Sequence, residues 1–325
     1  SNTARAGGII LPIIRSLSET YGSRTGDGTE RRVGAFLIKV SFQGDMITSA
    51  MFVTAMAANP LAVKMTEQIT GKTISWVGWA AAAIVPGIIS LIVIPLVIYK
   101  LYPPELKETP EASEIAVKKL NEMGPLKKEE WYMIGVFLLL LVLWIFGANL
   151  NINATTTAFI GLCTLLLTQV LSWSDIKKEQ GAWDTLVWFA VLVMMATFLN
   201  DLGMIPWFSD LMKGTVSHMS WMTALIVLPV AYFYSHYFFA SNTAHVSAMY
   251  AAFLSVIVAA GAPPLLSALI LAFFSNLFGC LTHYGSGPPP VFFGSGYVTQ
   301  QKWWSLGFLI SIIHIIIWIG IGGLW

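Results

Sequence analysis

The chain has 325 residues, 56% of them hydrophobic and 11% charged, with a formal net charge of +1. A soluble domain carries about 25% charged residues, so a soluble globular fold is excluded, and the near-neutral balance speaks against a nucleic-acid partner. The two cysteines, Cys163 and Cys280, lie inside apolar runs and do not indicate a disulfide framework.

The chain opens on SNTARAGG. The apolar segment behind it, 4–17, has about 14 residues, roughly 21 Å of helix. A bilayer needs about 20 residues, so this segment reads as half of a re-entrant hairpin. A chain that opens inside a motif, without Met, is expected to lack a preceding part. Full spans are predicted at 33–53, 76–102, 132–150, 154–172, 183–202 and 303–325. Shorter or broken segments are predicted at 222–240, 243–260, and 265–281 with 291–299. The pair 222–240 and 243–260 meets at SNTAHVSA and reads as a second hairpin.

Charge orients these segments. Arg24, Arg31 and Arg32 lie in the loop 18–32. Lys107, Lys118, Lys119, Lys127 and Lys128 lie in 101–130, Lys177 and Lys178 in 172–180, and Lys302 before the last span. Alternating the spans puts all of them on one side, which the positive-inside rule makes cytoplasmic. The opposite loops offer little beyond Lys72 and Lys213. The first hairpin then opens to the cytoplasm, and the second opens to the outside with the C-terminus. The stretch 101–130, with Pro103, Pro104, Pro110 and Pro125, reads as a plain connector with a surface helix in its middle. Trp131, Tyr132, Trp173, Trp183, Trp303 and Trp304 sit near span ends and read as interface belts.

The two triplets head parallel successions: SNT, an apolar arm, then a span interrupted at TAMAANP (54–60) or at THYGSGPPP (282–290). Opposite hairpin orientation makes this an inverted repeat. Irregular backbone at membrane depth is tolerated where it is buried or lines a cavity, and matching breaks in two halves point to the substrate site of a secondary transporter. Ser, Asn and Thr at a helix start are capping residues. A helix N-terminus offers unpaired N–H groups and about half a positive charge, so Ser1, Asn2, Thr3 and Ser241, Asn242, Thr243 supply two lobes for an anion with two carboxylates. Thr54, Asn59 and Pro60 in the first break, and Thr282, Gly285, Ser286 and Pro288 in the second, are candidates to line the site. A plain helix kink is the alternative for each of them.

SNTARAGGIILPI and FFASNTAH resemble the paired SNT motifs of the divalent-anion/sodium symporter family, and MFVTAMAANPLA (51–62) is similar to the broken fifth helix of its 2-oxoglutarate/malate branch. The resemblance covers the whole chain, with about a third of a usual member expected ahead of it. It implies an all-α polytopic membrane protein, an inverted repeat with two re-entrant hairpins and two broken helices, working as an elevator-type transporter. It implies dicarboxylate binding through Asn2, Thr3, Asn242 and Thr243, and a homodimer formed through a scaffold domain. In sodium-coupled members cations sit beside these motifs, here at Ser1, Asn2, Asn242 and the loops at Asn59 and Gly285. The parts are then 1–75, transport domain, first repeat; 76–131, connecting span and charged linker; 132–220, scaffold spans; and 221–325, transport domain, second repeat.

Each triplet is followed, after one Ala, by a basic residue: Arg5 and His245. Of the Lys and Arg residues, only Arg5 is placed deep inside a membrane segment, where ionisable groups default to functional roles. Two helix ends give about +1 and Arg5 another +1, so a doubly charged substrate is neutralised without sodium, and a protonated His245 adds more. An empty site would keep a buried unpaired charge costing several kcal/mol. About 4 kcal/mol slows the empty return roughly a thousandfold, the behaviour of an obligate exchanger. Asp45, the one acid well inside an apolar run, has three readings: paired with Arg5, paired with Lys39, or in a water-filled cavity. The first makes Arg5 structural and sodium symport the more natural mode. His245 has a second reading as a helix-start histidine bonded to backbone. His218, His236 and His314 read as structural or interfacial, whereas His283 lies within reach of the site in the second broken loop.

No HExxH or GxSxG occurs and no acid/base pair stands at a telling spacing, so an intramembrane enzyme is the weaker class. Two oppositely opening hairpins argue for alternating access over a channel. The sequence calls for no cofactor. Its partners are a dicarboxylate (2-oxoglutarate, malate, succinate or fumarate) and the lipid bilayer, in a bacterial inner membrane or, as the alternative, a plastid inner envelope.

Overall fold

A computed structural model describes residues 2–109, 112–150, 152–204, 207, 210 and 219–325. The expectations for Ser1, Lys213 and His218 lie outside the described residues. Among the described residues the regular structure is helical, with no strand. Among the described residues, four helices are long and apolar enough to cross a membrane: Trp76–Leu101, Lys128–Phe146, Asn242–Ala259 and Gln300–Leu324. The predicted span 33–53 corresponds to the helix Gly34–Met51, and 183–202 to Gln180–Asp201. The arm 243–260, expected among the shorter or broken segments, is the 18-residue helix Asn242–Ala259 with a π turn inside it.

The chain divides into two compact units. One comprises residues 1–74, 78–105 and 185–325. In it, the helix Gly34–Met51 packs on Pro264–Leu277, which also packs on Ala58–Thr70. Phe42, Trp79, Phe274, Phe278 and Trp303 are fully buried there. In lipid there is no transfer gain between helices, so dispersion and specific hydrogen bonds hold such contacts. Trp79 Nε1 donates to the Ala50 carbonyl at 2.9 Å, and Trp318 Nε1 donates to Ser90 Oγ at 3.0 Å. The Tyr250 hydroxyl donates to the Ala268 carbonyl at 2.9 Å and lies 2.8 Å from Thr66 Oγ1. Each pairing satisfies a polar atom that would otherwise be orphaned in an apolar medium.

Two stretches of this unit repeat element for element. Asn2–Arg5 is α-helical, Ala6–Ile10 is a π turn, and Leu11–Thr20 is α-helical again. Asn242–His245, Val246–Tyr250 and Ala251–Ala259 follow the same order. Downstream, each stretch leads to a helix that breaks through a 3-10 turn. Gly34–Met51 passes through Val53–Ala55 to Ala58–Thr70. Pro264–Leu277 passes through Phe278–Cys280 to Pro288–Phe293. The prolines fit these places: Pro264 and Pro288 stand at helix starts, where a missing N–H costs nothing.

The second unit comprises residues 75–77 and 106–184. Lys128–Phe146 and Ala154–Leu167 pack as a hairpin. Gly161 allows the close approach, since a Cβ there would lie 2.7 Å from Leu140 Cδ2. Trp76 stacks on Trp144, and the Trp144 indole donates to the Ala154 carbonyl. Phe137, Leu138, Val142 and Ile145 face outward, a surface suited to lipid. The middle of the connector is the helix Ala112–Met123. Ser172 and Asp175 form a reciprocal cap on Trp173–Lys178, and hydrogen bonds from Ser172 hold the Asp175 carboxyl below the usual carboxylate value.

Candidate functional site

Asn2 is buried in the first turn of its arm, its Oδ1 accepting from the Thr3 amide at 3.0 Å. Arg5 lies one turn further. Its Nε donates to Asp45 Oδ1 at 2.7 Å and its Nη2 reaches the same oxygen at 2.6 Å. Nη2 also donates to the Asp45 carbonyl at 3.2 Å and to Ser49 Oγ at 3.1 Å. This corrects the expectation that Arg5 stands as an unpaired charge. The Asp45 side chain is wholly buried, and a buried carboxylate requires a partner. The desolvation barrier assigned to Arg5 in the empty protein therefore falls away. The Asp45–Lys39 reading fails on helix geometry: six residues turn a helix about 600°, which leaves the two side chains about 120° apart.

Lys39 supplies a second correction, because Arg5 is not the only cation placed inside a membrane segment. Lys39 is fully buried, its amine 4.0 Å from the Trp303 ring centroid and 5.0 Å from that of Phe42. No hydrogen-bond acceptor among the described residues meets Nζ. Trp303 is accordingly a buried cation–π partner rather than part of an interface belt. Phe42, one turn after Lys39, was the signal in the sequence.

The first break is tied into this region. Asn59 Nδ2 donates to the Ser49 carbonyl at 3.0 Å and to the Phe52 carbonyl at 3.1 Å. Asn276 Nδ2, on the helix before the second break, donates to Asn59 Oδ1 at 2.8 Å. Thr54 and Pro60 are exposed.

At the second triplet, Ser241 is the cap, its Oγ accepting from the Ala244 amide at 3.3 Å. Asn242 is buried, its Nδ2 bonded only to the Met56 sulfur, a weak acceptor, while its Oδ1 has no partner among the described residues. Thr243 is half-buried beside it. A Cβ at Gly279 would lie 3.0 Å from Ser286 Oγ and 3.5 Å from Asn242 Oδ1, so both side chains border that glycine. A Cβ at the next loop residue, Gly287, would overlap the Thr3 hydroxyl. The first triplet and the second triplet thus meet through the loop of the second break. Thr282 is buried, its hydroxyl without a partner among the described residues, and Pro288 is buried at the start of the next helix.

His245 is fully buried, with Nε2 3.1 Å from Ser235 Oγ and Nδ1 3.0 Å from His236 Nδ1. It bonds side chains, which corrects the reading of a histidine bonded to backbone. His236 Nε2 lies 2.7 Å from the Gly285 carbonyl. A carbonyl only accepts, so His236 Nε2 carries a proton. The two Nδ1 atoms share one proton between them, so at most one ring of the pair is cationic. His236, expected to be structural or interfacial, is structural: it joins the second triplet to the second break. His283 accepts at Nδ1 from the Trp304 indole at 2.9 Å. His314 is buried with neither ring nitrogen bonded among the described residues.

Residues 1–325 match the family described as the sodium:sulfate symporter transmembrane region. The chain belongs to this family. It is 69% identical to the putative malate transporter YflS of Bacillus subtilis over all of its own length and 68% of that protein. It is 52% identical to the chloroplastic dicarboxylate transporter 1 of Spinacia oleracea, over all of the chain and 58% of that protein. It is 35% identical to the L-tartrate/succinate antiporter of Escherichia coli, over all of the chain and 67% of that protein. The chain is therefore an integral membrane protein of a transporter family, as its motifs implied, and the family's named members are carriers rather than enzymes.

Proposed function

We propose that the protein exchanges dicarboxylates across a membrane, binding one carboxylate at each triplet. The observation that carries this is the packing of Thr3 on Gly287 and of Ser286 and Asn242 on Gly279, which gathers both triplets around the second break. A carboxylate beside Asn242 accepts from its amide better than the Met56 sulfur does, and the Thr282 hydroxyl is free to donate. Succinate, malate, fumarate and 2-oxoglutarate have the separation between carboxylates that two lobes require. The names of the relatives, among them an antiporter, support this class. Side chains fill the tip behind each triplet, Arg5 against Asp45 and Ser49, and His245 against Ser235 and His236. In this reading they stand where coupling sodium ions would otherwise sit. The two recurring stretches are the halves of an inverted repeat, moving as an elevator against a scaffold that dimerises.

A second reading, sodium-coupled symport, is favoured by one observation. The Arg5–Asp45 pair is neutral as a unit, so Arg5 adds donors to the site but no net charge. The complete protein in liposomes separates the two. Uptake of labelled 2-oxoglutarate is measured with and without unlabelled dicarboxylate inside, in sodium and in potassium buffer. Exchange requires internal dicarboxylate and ignores sodium. Sodium-driven uptake into empty liposomes overturns it in favour of symport.

A further inference from the structure

We propose that the first unit holds an anionic phospholipid, its phosphate between Arg31 and Lys302 at the rim of the Tyr102 ring and an acyl chain along the helix below. Three segments distant in sequence converge there. Arg31 closes the loop after the first arm, Tyr102 follows the last residue of Trp76–Leu101, and Lys302 stands in the first turn of Gln300–Ile315. The Arg31 guanidinium carbon lies 4.5 Å from the Tyr102 ring centroid, and Lys302 Nζ lies 5.1 Å from it. Two cations are thus held within about 10 Å of each other, each drawn to the same ring. Neither has a carboxylate partner: among the described residues the ion pairs are Arg5–Asp45 and Lys64–Glu67. Glu30, next to Arg31 in the chain, has its Oε1 accepting from the Gly26 amide at 2.6 Å, and its charge acts on Tyr102 less strongly than that of Arg31.

The place is preformed. Arg31 Nη2 donates to the Pro103 carbonyl at 3.0 Å, and the Arg31 carbonyl accepts from the Glu105 amide at 3.1 Å. Tyr102 is itself buried, which fixes the ring that both cations approach. Like charges so placed repel, and a phosphate at the ring's rim turns that repulsion into charge-assisted bonds, each cation meeting its own oxygen.

The second observation concerns the tail. One exposed apolar stripe climbs the span toward Tyr102: Ile88 (46% exposed), Ile92 (58%), Leu96 (58%) and Tyr99 (43%). The steps of four, four and three residues keep one helix face, and three more residues reach Tyr102. Both helix ends, at Leu101 and Gln300, mark the same boundary between apolar span and polar loop. A headgroup at Tyr102 therefore places a chain along that stripe. A free phosphate would use the cations and leave the stripe without a role. Basic pockets at the ends of membrane helices are known headgroup sites in general.

The test is native mass spectrometry of the complete protein in mixed micelles, titrated with phosphatidylglycerol against phosphatidylcholine. Each basic residue near a membrane surface is worth about fivefold in affinity. Removing both, in Arg31→Gln/Lys302→Gln, is expected to lower phosphatidylglycerol binding about thirtyfold, to the phosphatidylcholine level. Arg31→Lys/Lys302→Arg keeps most of the preference, and Lys64→Gln, a remote exposed control, leaves it unchanged. The wild-type protein failing to prefer phosphatidylglycerol overturns the proposal even if the double variant does not fold. So does an equal loss in Lys64→Gln. Competition by soluble glycerol phosphate as strong as by the lipid assigns the site to a free phosphate and overturns the lipid.

Discussion

Replacing Arg5 with Gln removes one member of an ion pair whose other member has a wholly buried side chain. The Asp45 carboxylate would lose both guanidinium contacts, and its Oδ2 already lacks a hydrogen-bond partner among the described residues. Leaving a buried charge without its partner costs about 3–5 kcal/mol. Asp45→Asn is milder, because the Arg5 side chain is 32% exposed and water reaches it; a lost hydrogen bond to a charged group costs about 1.5–3 kcal/mol. The double substitution Arg5→Met/Asp45→Leu removes both charges and leaves apolar groups of similar reach, a change that is often neutral or stabilising. Stability is therefore expected within about 1 kcal/mol of wild type in the double variant, and the coupling energy exceeds about 2 kcal/mol. Reversible denaturant unfolding in mixed micelles, followed by tryptophan fluorescence, measures all four corners of the cycle. Single variants each within about 0.5 kcal/mol of wild type, with additive effects in the double, would refute the pair as a buried structural element.

Gly287→Ala is expected to abolish transport, because the added methyl overlaps the Thr3 hydroxyl; Thr3→Ala in the same chain removes that overlap and should restore part of the rate, and a double variant as inactive as Gly287→Ala contradicts the junction of the two triplets. Lys39→Met exchanges a buried amine with no hydrogen-bond acceptor among the described residues for an apolar chain of similar length. It should leave unfolding stability unchanged or raised by up to about 2 kcal/mol, and a loss above about 3 kcal/mol would show that the amine has a partner beyond Phe42 and Trp303.

Features that depend on local chemistry were readable in the sequence. Ser241 caps because a short oxygen-bearing side chain before an apolar run does so in most settings. The breaks at 54–60 and 282–290 were visible as Asn, Gly, Ser and Pro inside otherwise apolar runs. Pairings set by tertiary approach were not readable in this way. Nothing in a separation of 40 residues distinguishes the Arg5–Asp45 partner from Lys39, and only the packing of the arm against Gly34–Met51 selects it. His236 was hidden by its setting, YFYSHYFF, where a histidine among aromatics looks interfacial. Its one signal was position, nine residues before His245 and on the opposite side of the same tip. The burial of Lys39 follows from the neighbouring Phe42 and Trp303 rings, a tertiary packing that its position in the span does not reveal.

The π turns at Ala6–Ile10 and Val246–Tyr250 act as an indexing offset. A π turn holds one residue more than the α-helical path it replaces, so everything ahead of it is rotated by about 100° from where an uninterrupted helix would point it. Arg5 and His245, each the last residue before its π turn, owe their aim to that extra residue. Deleting one residue inside either turn works like advancing a screw by more than a quarter revolution. Arg5 swings away from Asp45, or His245 away from His236, although every side chain at that tip is still present.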